Sequence, residues 1–124
     1  SDNIQSPYHN LLTGDSSSDP VVAKTQYWIQ SHLHVNIDQL RLAEDMGVSQ
    51  RTLIRRFKSE LNVTPITYVQ NARIETAKKI LENSTTPLQQ VVEQVGYNDI
   101  SSFSKLFKKR VGLTPMGYRQ RFSN

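Results

Sequence analysis

The sequence runs GVSQRTLIRRFKSELNVTPITY over residues 47–68 and GYNDISSFSKLFKKRVGLTPMGY over residues 96–118. Both stretches contain a glycine, a basic segment with spaced apolar residues, a Thr-Pro pair and a tyrosine. The repeat predicts a unit of helix-turn-helix size that occurs twice, with one extra residue in the second turn because Gly47 and Gly96 are 49 positions apart. A shift of 50 positions pairs Leu53 with Phe103, Arg55 with Lys105, Phe57 with Phe107, Lys58 with Lys108, Leu61 with Val111, Thr64 with Thr114, Pro65 with Pro115 and Tyr68 with Tyr118.

Capping residues and apolar spacing predict helices from residue 20 onwards. Asp19-Pro20 is an N-cap followed by proline at the first helical position, and it predicts a helix to about His34. No stretch alternates apolar and polar residues for long enough to predict a strand. The sequence therefore predicts an all-α fold of about seven helices, in which a long linker helix joins two helix-turn-helix subdomains built as homeodomain-like three-helix units. The remaining predicted helices run near Asp38–Asp45, over Ser49–Leu61, from Thr64-Pro65 to Asn83, from Thr86-Pro87 to Gly96, from Asp99 to Gly112, and from Thr114-Pro115 to about Arg121.

Composition separates the first 19 residues from the rest. They contain Pro7, Gly14 and the run Asp15-Ser16-Ser17-Ser18-Asp19, which is typical of a linker. Since the chain does not begin with Met, we expect residues 1–19 to be a tail from a missing upstream domain. Residues 20–124 are then one domain, with a first subdomain at 20–64, a linker helix at 65–83 and a second subdomain at 84–124.

Charge and residue usage exclude several classes of protein. The formal charge of the chain is +4, and three Asp residues without Lys or Arg contribute −3 to residues 1–19, so residues 20–124 carry +7. A compact basic domain favours an anionic partner, nucleic acid first, although a basic protein without such a partner is nearly as common. The chain lacks cysteine, a run of about 18 apolar residues, and the motifs of nucleotide-binding and hydrolytic enzymes. We therefore predict no enzyme activity, no cofactor, no metal site and no membrane span.

The two repeated basic helices place their charges opposite their apolar residues. On a helical wheel of about 100° per residue, Leu53 and Phe57 point one way and Phe103 and Phe107 do the same in the second copy. An α-helix fits the major groove, where an exposed stripe of side chains can reach base edges. We call Ser49–Leu61 and Ser101–Val111 the first and second reading helices. Their outward residues are Arg51, Arg55 and Lys58 in the first, and Ser101, Lys105 and Lys108 in the second.

These residues allow other interpretations. Two helices that face only solvent could carry the same charges. DNA binding is favoured because both copies of the repeat assign the same positions to the core and to the outward side. A protein-interaction domain that docks an acidic partner, such as a polymerase subunit, is the rival, and an RNA-binding helical domain lacks a visible aromatic platform. Tyr27 and Trp28 are expected to pack in the core, as are Tyr68 and Tyr118. Arg73 is expected to form a salt bridge near Glu75 or to contact phosphate.

The combined pattern closely resembles the DNA-binding domain of AraC/XylS-type transcription regulators. The resemblance covers about residues 20–122, with Val92, Asn62 and Lys105 standing where the family often has Ala, Gly and Arg. Asn tolerates the left-handed conformation, so the first turn is expected to be intact. A narrower resemblance to GlxA-type members rests on Asp19-Pro20-Val21-Val22, Trp28-Ile29 and Arg51-Thr52-Leu53-Ile54-Arg55-Arg56-Phe57. The residues that carry the family resemblance are Gly96-Tyr97, Ser101-Ser102-Phe103-Ser104-Lys105-Leu106-Phe107-Lys108, Gly112-Leu113-Thr114-Pro115 and Tyr118-Arg119, together with Leu40, Ala43, Gly47, Val48-Ser49, Leu53, Arg55, Phe57, Arg73-Ile74, Ala77 and Ile80-Leu81.

The resemblance implies how such a domain works. Both reading helices would enter successive major-groove segments on one face of double-stranded DNA, and a linker helix of about 19 residues spans about 28 Å, close to the 34 Å of one DNA turn. It implies a cytoplasmic bacterial regulator, more often an activator, that touches RNA polymerase. The isolated domain would be a monomer, and the full-length protein a dimer through the missing N-terminal domain, which is amidotransferase-like in GlxA-type members. Base readers by this match are Arg51, Ile54, Arg55, Ser101, Ser102 and Lys105; expected phosphate contacts are Ser49, Gln50, Lys58, Lys108, Lys109 and Arg110.

Overall fold

A computed structural model describes residues 16–124, which form seven α-helices. The prediction of an all-α fold of seven helices is confirmed, whereas most of the predicted tail, residues 1–15, lies outside the described residues. The helices are α1 (Pro20–Ser31), α2 (Gln39–Asp45), α3 (Gln50–Leu61), α4 (Pro65–Asn83), α5 (Leu88–Gln94), α6 (Ile100–Val111) and α7 (Pro115–Phe122).

Side-chain caps determine where most of these helices begin. The amide groups in the first turn of a helix have no partners within the helix. The Asp19 carboxylate accepts hydrogen bonds from two of these amides, that of Val21 at 2.9 Å and that of Val22 at 3.3 Å. Thr114 caps α7 in the same way. Pro87 is not in α5 as expected, because with ψ 145° it lies outside the helical region, and the helix begins at Leu88 without a side-chain cap. The first helix ends at Ser31 rather than His34, since the backbone leaves the helical region at His32.

Left-handed residues stand at the ends of several helices. Gly47 follows Met46, the C-cap of α2, and its φ of +76° is the left-handed conformation that glycine adopts readily at this place. Asn62, where the resembling family often has Gly, has φ 64° and its amide bonds to the carbonyl of Lys58. The expectation that Asn62 would preserve this turn is confirmed. Both copies of the repeat therefore leave their reading helix through a left-handed residue, Asn62 in the first and Gly112 in the second.

The packing forms two cores, one in a unit that ends at Ala72 and one in a unit that begins at Arg73. The division falls inside α4, so this helix contributes to both units. The first core is built from Val22, Ile29, Ile37, Leu42, Ala43, Leu53, Phe57, Leu61, Tyr68, Val69 and Ala72. The second is built from Ile74, Ala77, Leu81, Val91, Val92, Val95, Phe103, Phe107 and Tyr118.

The environments of Tyr27 and Trp28 differ. Trp28 is half-buried against the first core and stacks on His32 with ring centroids 4.1 Å apart, as its core assignment predicts. Tyr27 is 75% exposed, so the expectation that it packs in the core is wrong. The inward positions of α1 are taken by Val22, Gln26 and Ile29, and the next residue after Gln26 is rotated away from them.

Candidate nucleic-acid interface

The first reading helix, α3, is held by a neutral cap and three buried apolar residues. The Ser49 hydroxyl oxygen accepts the amide of Thr52 at 3.1 Å and donates to the Thr52 hydroxyl at 2.9 Å. Leu53, Phe57 and Leu61 are buried in the first core. The opposite side of the helix presents exposed Arg51, Arg55 and Lys58. The predicted division between anchoring and outward residues is therefore found in the structure.

Two adjacent arginines of α3 have different environments. The Arg56 guanidinium Nη1 lies 3.5 Å from Asp19 Oδ1, the same carboxylate that caps α1. Arg55 is exposed on the outward stripe. Near the end of the helix, Glu60 accepts the hydroxyls of Ser17 and Ser18, and the latter distance is 3.4 Å. The segment before α1 thus contacts the reading helix, which the helical wheel could not show.

The second reading helix, α6, begins at a carboxylate cap. Asp99 Oδ1 accepts the Ser101 amide at 3.2 Å, and Oδ2 accepts the Ser102 amide at 3.2 Å and the Ser102 hydroxyl at 2.6 Å. These bonds, the Ser102 hydroxyl first, hold the pKa of Asp99 below its ordinary value. Phe103 and Phe107 are buried on the opposite side. The helix therefore begins at a negatively charged carboxylate beside its outward stripe, whereas α3 begins at the neutral hydroxyl of Ser49.

Most of the side chains predicted to contact DNA are accessible. Ile54 and Gln50 are the exceptions, because each is half-buried. The contacts of these residues to DNA stay predictions. The exposed members are Arg51, Arg55, Ser101, Ser102 and Lys105 among the base readers, and Ser49, Lys58, Lys108, Lys109 and Arg110 among the phosphate contacts.

A tyrosine closes the core behind each reading helix. Tyr68 is almost fully buried, and its hydroxyl oxygen accepts amide protons from Gln26 at 3.3 Å and Gln30 at 3.1 Å. Burial raises the pKa of Tyr68. The Tyr118 hydroxyl donates a hydrogen bond to Glu82. Burial is the main cause that raises the pKa of Tyr118, and the Glu82 carboxylate raises it further. The prediction that both tyrosines are packing residues is confirmed.

Arg73 contacts an aromatic ring in the second unit. Its guanidinium carbon lies 5.2 Å from the centroid of the Tyr97 ring. The rings of Tyr97 and Phe103 in turn pack edge to face with their centroids 5.4 Å apart. Glu75, near which a salt bridge of Arg73 was expected, pairs with Lys78 at 3.1 Å. Burial is the main cause that lowers the pKa of Arg73. No local pattern indicates this contact, because Arg73 lies on α4 and Tyr97 lies in the turn between α5 and α6.

Within residues 16–124, no three His, Asp or Glu side chains are grouped so that they could hold a metal ion. None of the helices found there is long and apolar enough to cross a membrane. The fold and its exposed cationic stripes define a tandem helix-turn-helix DNA-binding domain.

Comparison with known proteins identifies the family. A family profile described as a helix-turn-helix domain matches residues 42–121. The C-terminal domain of AraT, a response regulator from Geobacillus stearothermophilus, is 31% identical with a TM-score of 0.82, over 86% of this chain and 88% of that one. The DNA-binding domain of AdpA, a global transcriptional factor in complex with a target DNA, is 30% identical with a TM-score of 0.79, over 85% of this chain and 94% of that one.

Among curated proteins, the HTH-type transcriptional activator RhaS of Escherichia fergusonii is 28% identical over 112 residues, which are 90% of this chain. The chain spans 40% of the length of that relative. The chain belongs to the AraC family of helix-turn-helix transcription regulators, of which it is a DNA-binding domain.

Proposed function

We propose that α3 and α6 enter successive major-groove segments of double-stranded DNA and read its sequence there. The observation that supports this most strongly is the repeated arrangement in which exposed polar and cationic residues stand opposite a buried aromatic or aliphatic anchor on each helix. Base edges would be read by Arg51, Ile54 and Arg55 from α3 and by Ser101, Ser102 and Lys105 from α6. The remaining predicted residues, Ser49, Gln50, Lys58, Lys108, Lys109 and Arg110, would contact phosphate.

The two helices are proposed to contribute differently. Arginine forms a bidentate pair with the O6 and N7 atoms of guanine, and α3 presents Arg51 and Arg55 on its outward stripe. Lysine forms that pair less well, and α6 has Lys105 at the position of Arg55. The last turn of α6 carries Lys108, Lys109 and Arg110. We therefore assign stronger base discrimination to α3 and more of the phosphate contact to α6.

Two adjacent arginines provide a matched test. Arg55→Ala should weaken specific binding by about 1–3 kcal/mol and relax the choice of one or two base pairs. Arg56→Ala removes the same charge from the same helix, but Arg56 faces Asp19 and should leave base preference unchanged. Binding of both variants to a selected site and to point-mutated sites measures the difference. Equal loss of affinity for all sequences in both variants would refute the assignment of Arg55.

A regulator that contains this domain would have properties beyond DNA binding. We propose activation as the sign of regulation, because the RhaS relative is named an activator and the family resemblance implies it. Contact with RNA polymerase, a cytoplasmic location, dimerisation through an upstream domain and the GlxA-type subtype are proposed on the same resemblance. Competition by unrelated duplex DNA at low salt separates DNA binding from docking of an acidic protein partner. A domain that ignores DNA under those conditions would favour the protein partner.

A further inference from the structure

We infer that Ser102 reads DNA only as a hydrogen-bond acceptor, because Asp99 holds the proton of its hydroxyl. Ser102 would then select a base that presents an N–H donor in the major groove, adenine or cytosine, over guanine or thymine. Asp99 is thereby a specificity-determining residue that acts through Ser102. This inference rests on the proposed function, in which Ser102 faces the bases.

The geometry between Asp99 and Ser102 fixes the direction of the hydrogen bond. A serine hydroxyl has one proton and two lone pairs, and a carboxylate can only accept. The distance of 2.6 Å between Ser102 Oγ and Asp99 Oδ2 is that of a charge-assisted bond, which is stronger than one between neutral groups. Two backbone amides, of Ser101 and Ser102, hold the same carboxylate in place. The hydroxyl is left with its lone pairs directed away from the cap.

The charge state of Asp99 supports this direction. A protonated carboxyl could donate to Ser102 and release the hydroxyl proton. The same hydrogen bonds, with a smaller contribution from the charge of Lys105, keep the pKa of Asp99 below its ordinary value. Asp99 is therefore an acceptor at neutral pH.

The donors and acceptors that each base presents in the major groove determine which bases an acceptor-only Ser102 would prefer. Adenine N6 and cytosine N4 carry donors there, whereas guanine O6 and N7 and thymine O4 are acceptors. A hydroxyl that retained its proton could bond to either kind of base. A hydroxyl that donates its proton in a hydrogen bond to Asp99 can only accept from a base, so it can bond only to adenine or cytosine.

The first reading helix offers an internal contrast. Thr52 occupies the position of Ser102 in the repeat, and its partner is the hydroxyl of Ser49 at 2.9 Å. Here the neutral Ser49 hydroxyl donates, so the Thr52 hydroxyl keeps its own proton available. The fixed polarity therefore belongs to α6 alone among the two reading helices.

The test reverses the direction of the hydrogen bond between residue 99 and Ser102 while it keeps a side-chain cap on α6. Asp99→Asn retains a good N-cap, but its amide group can donate to Ser102 and free the hydroxyl proton. Each variant is used to select sites from a pool of random duplex DNA, with helix content checked by circular dichroism. The wild type should favour adenine or cytosine at one position by about two- to tenfold. Asp99→Asn should reduce that preference or turn it toward guanine or thymine, and Ser102→Ala should abolish it.

Two further outcomes complete the test. A preference that survives in Ser102→Ala but disappears in Asp99→Asn would mean that Asp99 reads the base itself, and the inference would fail. If both variants select the wild-type site while Arg55→Ala still relaxes another position, the inference fails and the proposed function stands. A wild-type domain that selects no sequence overturns both. Asp99→Ser, which gives α6 the cap of α3, serves if Asp99→Asn does not fold, and it should weaken the same preference.

Discussion

The rings of Phe57 and Tyr68 pack edge to face with their centroids 5.7 Å apart and their planes at 78°. Phe107 and Tyr118 repeat this contact at 5.7 Å and 76°. In both copies the phenylalanine lies on the inward side of a reading helix, and the tyrosine lies on the helix that follows. The repeat in sequence is therefore also a repeat in packing, and one ring contact holds each reading helix against its neighbour.

This packing predicts a large loss of stability when either phenylalanine is truncated. Phe57→Ala and Phe107→Ala should each lower the free energy of unfolding by about 3–5 kcal/mol, because both rings are fully buried and a cavity would remain. Urea unfolding monitored by circular dichroism measures this loss. Lys58→Ala, an exposed neighbour, should change it by no more than about 0.5 kcal/mol. Losses as small as the control's would mean that the rings do not anchor the helices.

The hydroxyl of Tyr68 predicts a smaller effect. Tyr68→Phe removes the acceptor of the amides of Gln26 and Gln30 and should cost about 1–3 kcal/mol, because Gln26 is only 2% exposed and cannot turn to water. Tyr27→Phe is the matched control, since Tyr27 is 75% exposed and should change stability little. Equal unfolding free energies for the two variants would contradict the buried hydrogen bonds.

Alkaline pH should destabilise the domain in part through Tyr118. Burial and the neighbouring Glu82 raise the pKa of Tyr118 above its ordinary value of 10.0, so the folded state holds this proton more tightly than the unfolded state. The resulting stability is complete below pH 10.0 and is lost as the pH rises from there toward the raised pKa. Unfolding free energies measured between about pH 8 and 11 should fall less steeply in Tyr118→Phe than in the wild type. Parallel slopes would show that Tyr118 does not contribute.

Much of the fold follows from local signals in the sequence. Asp19, Ser49 and Asp99 begin helices because short polar side chains accept exposed amides, and Asn62 ends one because Asn tolerates a left-handed backbone. The inward residues of both reading helices follow from helical spacing alone. These signals need no information about residues that are distant in the sequence, which explains why they were predictable.

The errors and omissions concern side chains whose partners are distant or compete for space. The aromatic ring of Tyr27 predicts a place in the core, but other residues occupy the buried side of α1. The separation of Arg55 from Arg56 depends on Asp19, which lies 37 residues before Arg56 in the sequence. The hydroxyl bond between Ser102 and Asp99 is local, and the spacing of a capping residue and a serine three positions later could have indicated it.

Phosphate contacts should be separable from base contacts. Lys109→Ala should weaken binding to all sequences about equally and lower the slope of log K against log salt by about 1. Arg55→Ala should instead lose affinity mainly for the selected site. Titrations at several salt concentrations, on selected and unrelated duplexes, measure both quantities. A change in base preference caused by Lys109→Ala would contradict its assignment to phosphate.

The central claim is that α3 and α6 each read a separate segment of DNA. Selection from a random duplex pool by the wild type, Arg55→Ala and Lys105→Ala tests it most directly. We predict that the wild type enriches an asymmetric site with two preferred segments, that Arg55→Ala loses preference in one segment only, and that Lys105→Ala loses it in the other only. Loss of preference in the same segment by both variants, or unchanged selection in both, would contradict the claim.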